Sequence, residues 1–153
     1  MFDFLRALGL SPLEWDKAIA LTKSGTPYVG TVLDAAFAKA KAVVVILSPD
    51  DEAQLREPFR TRDDPPFERK LTGQPRPNVL FEAGMAFGRH ERETIIVQVG
   101  KVRPFSDSAG RHVVRLDNKP ESRSRLANRL ESAGCAVDRE GADWISAGDF
   151  VTP

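Results

Sequence analysis

The chain has 153 residues, enough for one compact domain, and its 22 Lys and Arg are matched by 22 Asp and Glu. That balance, with no basic stripe along any helical pattern, argues against a nucleic-acid partner. Cys135 is alone and His90 and His112 lack ligand-like spacing, which argues against a disulfide framework or a metal site. No apolar run approaches the roughly 18 residues of a membrane span. Asp3 and Arg6 interrupt the first apolar residues, unlike a signal peptide. A cytoplasmic protein that crosses no membrane is the expectation.

In chain order, Phe2, Leu5 and Leu8 lie at helical spacing, and Gly9 follows as a stop. Leu10–Trp15 reads as a short strand with Pro12 placing it at an edge. Asp16–Thr26 reads as a mobile loop with a helical turn at Ala18–Leu21. A helix is expected from Pro27 to Lys41, capped by Thr26, with Val29, Val32, Leu33, Ala36 and Phe37 on its buried face. Ala42–Leu47 is apolar and rich in β-branched residues on both faces, as in the central strand of a parallel sheet. Ser48-Pro49-Asp50-Asp51 follows directly, where ligands bind in open α/β sheets, so Asp50 and Asp51 either face a ligand or make a turn or helix cap. Glu52–Gln74 is sign-mixed and proline-bearing, and reads as a long solvated connection with a helical turn at Glu52–Arg56.

Beyond the Arg76–Arg89 stretch, Thr94–Val99 is a second buried strand and His112–Leu116 a third. Pro104–Gly110 between them is rich in turn formers. Pro120–Ala133 reads as a helix with Leu126, Leu130 and Ala133 inward and Arg123, Arg125, Arg129 and Glu131 outward. In the tail, Trp144 and Phe150 are expected to lie against the domain surface. The alternation of strands and helices predicts an α/β fold with a mainly parallel sheet over a single domain of residues 1–153, with a core of 1–135 and a tail of 136–153.

The stretch Arg76-Pro77-Asn78-Val79-Leu80-Phe81-Glu82-Ala83-Gly84-Met85-Ala86-Phe87-Gly88-Arg89 organises the rest. Pro77 and Asn78 open it as a helix, and it runs apolar on nearly every face, which predicts burial. Gly84 and Gly88 lie one turn apart, which would let another backbone approach closely. Glu82 stands in the middle with Asn78, Val79, Met85 and Ala86 as its helical neighbours and no local cation. A carboxylate so placed is costly unless another group meets it, the pattern of a working acid. The other reading puts Glu82 at the helix edge, facing water.

These residues resemble the TIR-like domains of bacterial antiviral defence effectors of the CBASS and Pycsar type. The likeness rests on Leu47-Ser48-Pro49-Asp50-Asp51, on Arg76–Gly84 with Gly88-Arg89, and on Pro104–Gly110 leading into the strand at His112, and it covers about residues 1–135. It implies a flavodoxin-like fold and cleavage of NAD at the nicotinamide–ribose bond, with NAD as substrate and no resident cofactor. It makes Glu82 the catalytic carboxylate. It also implies a substrate pocket, for which Trp15, Asp16, Lys17, Ser48, Asp50 and Asn78 are candidates, although Trp15 equally suits loop packing. Self-association on activation and a cyclic-nucleotide sensor domain outside this chain are further implications. Such domains begin with a short apolar strand, and here Met1 already stands at the first helix. The sequence is thus expected to be a piece of a longer protein or to build a sheet with a gap that neighbours close.

One carboxylate suffices for this chemistry. Nicotinamide is cationic while bonded and leaves neutral, so no acid must protonate it, unlike the alcohol released by an O-glycosidase. An anion beside the ribose stabilises the developing oxocarbenium ion. Two alternatives remain open: a nucleoside deoxyribosyltransferase-like enzyme with Glu82 as nucleophile, and a non-catalytic TIR-like module for nucleotide binding or self-association.

Overall fold

The computed structural model describes residues 1–104 and 110–151. Three parallel strands form the central sheet in the order β1-β4-β5, namely β1 (Val43–Leu47), β4 (Thr94–Val99) and β5 (Val114–Leu116). Val43 pairs with Thr94 and Leu47 with Gln98, while Val97 pairs with Val114. A separate antiparallel ribbon joins β2 (Asp51–Ala53) to β3 (Thr72–Gln74). The fold is α/β and mainly parallel, as the alternating pattern predicts.

Alternation along the strands sorts their side chains into two cores. On one face Ile95, Val97, Val99, Val114 and Leu116 meet Phe4, Leu5 and Leu8 from the first helical segment, where α1 spans Phe2–Ala7, and Leu126, Ala127 and Leu130 of α6 (Pro120–Ser132). On the other face Val45, Leu47 and Ile96 meet Phe37 of α3 (Val29–Lys39) and Ala86 of α5 (Pro77–Arg89). An ion pair of 2.9 Å between Arg89 and Asp34 ties the far end of α5 to α3.

The structure departs from the sequence expectations at several places. Leu10–Trp15 is not a strand: residues 10–14 are irregular and Trp15 opens α2 (Trp15–Leu21), which replaces the expected loop. A strand needs a ladder beside it, and among the described residues none pairs with that stretch. Helix α3 starts at Val29 because Pro27 and Tyr28 precede it, Tyr28 being extended with ψ at 140°. The Glu52–Gln74 connection is built: it holds β2, a 3₁₀ turn at Glu57–Phe59, α4 (Pro66–Arg69) and β3. Its short strands were masked by their few apolar residues.

Arg123 and the tail also correct the sequence reading. Arg123 is buried, not outward, and Trp144 and Phe150 belong to the core rather than its surface. The Arg123 guanidinium lies 4.7 Å from the Phe150 ring centre and 5.6 Å from that of Phe4, and it donates to the carbonyls of Ala147 and Gly148. Several fixed acceptors and two π-faces replace the water that the cation loses. Burial nevertheless pushes its pKa below the usual arginine value. Asp149 completes this corner, its carboxyl held low chiefly by the Asn118 side-chain amide and then by the Val151 N–H.

Candidate active site

The turn after β1 and the first half of α5 meet at the carboxyl end of the sheet. Ser48 is half-buried there, and its carbonyl accepts the Asp50 N–H at 2.9 Å. The Asp50 carboxylate stands 3.8 Å from the guanidinium of Arg76, the residue that precedes α5. This exposed pair links the turn to the helix start, and at such exposure it contributes orientation more than stability. Asp51 enters β2 and pairs with Gln74. Asp51 thus starts a ribbon rather than a helix cap, and Asp50 lies just ahead of it in the bend closed by the Ser48 carbonyl.

That ribbon is seated by Gly73. A Cβ built on it would lie 2.5 Å from the Pro49 side chain and 3.5 Å from the Lys101 carbonyl, so only glycine fits this approach. The Gly73 carbonyl accepts the Arg103 N–H at 2.7 Å, and the Arg103 guanidinium pairs with Glu68 of α4 in a partly buried contact. Ribbon and α4 are therefore fastened to the segments that leave β1 and β4. Sequence reasoning missed Gly73, Arg103 and Glu68, whose roles depend on contacts across the fold. The lone Thr-Gly-Gln triplet was the only local signal.

Helix α5 sets Val79, Leu80, Ala83, Met85, Ala86 and Phe87 against the second core. Only Ala86 is fully buried, so the expectation of an all-round buried helix is corrected. The opposite face is open: Phe81 is 71% exposed and Asn78 is exposed. Among the described residues nothing lies within 4 Å of a Cβ placed on Gly84 or Gly88, so none of their backbone uses the expected close approach. The helix is amphipathic, and the extra apolar residue on its outer side, Phe81, made it read as buried.

Glu82 is half-buried on this helix, one turn beyond Asn78. Among the described residues it makes no hydrogen bond or ion pair, while other acids near the site, Asp50 and Glu68, are paired. Trp15, Asp16 and Lys17 form the exposed first turn of α2. Trp15 lines a groove along β1 with Val43, Val44 and Ile46, and Glu82 is not part of that lining. The structure thus brings Ser48 and Asp50 to the start of α5 and sets Asn78 and Glu82 on that helix, whereas Trp15 sits on a different wall. Of the Pro104–Gly110 loop, residues 105–109 lie outside the described residues.

Against this geometry, the family described as the TIR domain of the CAP12/Pycsar effector protein matches residues 1–118. The chain belongs to this family. The match takes in the β1 turn, the ribbon, α5 and β5, and stops short of α6. No curated protein and no solved structure matches the chain. The TIR-domain assignment makes it a defence-effector domain. Among the described residues no helix is long and apolar enough to cross a membrane, and no group of three or more His, Cys, Asp or Glu is placed to hold a metal.

Proposed function

We propose that this TIR domain hydrolyses NAD to nicotinamide and ADP-ribose as a defence effector, with Glu82 as its catalytic carboxylate. One observation carries the reading. In a domain of this family, Glu82 is a half-buried acid without a partner among the described residues, on the helix that starts at the carboxyl end of the parallel sheet. A carboxylate free of internal bonds is available to a substrate.

The C1′–N bond to nicotinamide breaks as its electron pair returns to the cationic ring, so the leaving group departs neutral. Positive charge develops on the ribose, and Glu82 stabilises it and accepts hydrogen bonds from the ribose hydroxyls. Water then attacks C1′ and loses its proton to solvent. Asn78, one turn earlier, presents an amide to the same ligand, and Ser48 and Asp50 flank the approach. Trp15, Asp16 and Lys17 reach this ligand only from the α2 side, so their contact depends on a substrate long enough to extend over the edge of β1. Self-association, which would bring a second copy to the open face of α5, belongs to the same proposal.

The test is incubation with NAD, dilute and under conditions that promote oligomers, followed by chromatography. Free nicotinamide is expected, and Glu82→Gln is expected to lower its release by about 100-fold or more with the melting temperature unchanged. Unchanged turnover in Glu82→Gln refutes the assignment. The exposed outer face of α5 also favours a second reading, a non-catalytic module for nucleotide binding or self-association. NAD binding without products in the wild-type chain would support it. A glycosyl adduct trapped on Glu82 with a deoxynucleoside would instead indicate transferase chemistry.

A further inference from the structure

Strand β4 is longer than its neighbour β5, and the difference leaves a cavity at the amino end of the sheet. The β4–β5 ladder begins at Val97 and Val114, so Thr94, Ile95 and Ile96 extend beyond it. Gly110, Arg111 and His112 lie beside them in place of a strand, with Gly110 at a φ of 91° that side chains rarely permit. A cavity of about 340 Å³ remains between this segment, the start of β4 and the last turns of α5 and α6. Its size is that of a site for a small ligand. It lies at the end of the sheet opposite Ser48, Asp50 and Asn78, and Glu82 does not line it.

Its walls are cationic. Arg92 comes from the turn ahead of β4, Arg111 from the segment ahead of β5, and Arg129 from the last turn of α6. Three separate parts of the chain thus bring guanidinium groups to one space, and among the described residues no carboxylate lines it. Glu91 takes one edge of Arg111 at 3.2 Å, while Glu131, the acid nearest Arg129 in sequence, pairs with Arg139 at 3.0 Å. The Arg111 guanidinium is also held by the Phe87 ring, 4.1 Å from its centre. Ile95 and Ile96 supply an apolar floor. Like charges gathered around one cavity repel, and an anion between them turns that repulsion into attraction.

We infer that this cavity binds a phosphate monoester with a compact apolar body, its phosphate among Arg92, Arg111 and Arg129 and its body against Ile95 and Ile96. The planar guanidinium forks match phosphate oxygens, and a dianion offsets the mutual repulsion of the three cations. Inorganic phosphate meets the arginines but leaves the apolar floor wet, so the ester is the better fit. The balanced charge of the whole chain gives a long polyanion no wider track to follow.

The probe is phenyl phosphate, added to the whole chain at constant ionic strength and followed by titration calorimetry and by amide shifts in NMR spectra. Saturable binding is expected, with shifts at Thr94, Ile96, Arg111 and Ser132 and none at Asp50, Asn78 or Glu82. Inorganic phosphate is expected to bind about fivefold or more weakly, for want of the apolar body. Phenol, which lacks the charge, is expected to bind about tenfold or more weakly. The Arg92→Gln, Arg129→Gln double variant, altered only at exposed positions, is expected to keep the wild-type melting temperature and to bind the probe about tenfold or more weakly. The Lys39→Gln, Lys70→Gln double variant removes the same charge elsewhere and is expected to bind as the wild type does. Equal binding by the arginine double variant, an equal loss in the lysine control, or equal binding of inorganic phosphate overturns the inference. Shifts confined to the carboxyl end of the sheet overturn it too, because the probe then occupies the other site. None of these readouts depends on NAD cleavage.

Discussion

The two faces of the sheet are finished to different degrees. On the α1/α6 face, strands, helices and tail close over one another: Phe4, Leu8, Val97, Leu126 and Ala127 are fully buried, and even the Arg123 guanidinium is enclosed and bonded. On the α5 side only Ala86 of a 13-residue helix is fully buried, Phe81 stands in solvent, and two glycines face open space. The first face is organised for stability, with most of its large groups spent on packing. The second keeps an acid, an aromatic ring and a small-residue surface uncommitted. A residue that packs is released from other duties, and the residues assigned a chemical role here are those that do not pack.

Substitutions can test that division. The largest effect on stability is expected from Phe150→Ala, which removes a ring set edge-on to Phe4 with centres 5.9 Å apart and uncovers Arg123. A loss of about 3–5 kcal/mol is expected by chemical denaturation. A loss under 1 kcal/mol would show that the tail only decorates the core. Gly73→Ala, which forces a methyl against Pro49, should cost about 1–3 kcal/mol and loosen the ribbon, with faster amide exchange at Asp51 and Ala53. Wild-type exchange there would mean that the ribbon is not seated by this contact.

The smallest effect has the opposite sign. Gly84→Ala meets no atom within 4 Å and should stabilise the helix by about 1 kcal/mol. If the open face of α5 serves assembly, the same variant should lower activity at high protein concentration while raising the melting point. A rise in stability with no change in concentration-dependent activity would remove Gly84 from the assembly surface.

Much of this was legible in the chain because periodicity and burial agree there. Val43–Leu47 and Thr94–Val99 announce buried strands through continuous β-branched runs, and Pro77 marks the start of α5. The family resemblance also rests on local runs, and Glu82 stood out for its lack of a cation at helical spacing. What was illegible depended on contacts distant in sequence. Arg123 looks like a solvent-facing residue of a charged helix, and only carbonyls of residues more than 20 positions away draw it inside. Gly73 has no local motif, since its role comes from Pro49 and Lys101. Leu10–Trp15 has the composition of a strand, but composition cannot supply a ladder, and among the described residues it has none.

The buried tail carries a practical consequence for where this unit ends. The family match closes at residue 118, yet Leu126, Leu130, Trp144 and Phe150, all beyond that point, share one hydrophobic cluster with Val97 and Leu116. A fragment trimmed to the matched region would lose α6 and the tail from that side of its sheet and keep only the first helical segment over it. Recognition by sequence and autonomy in folding therefore have different borders in this protein, and the second is the wider.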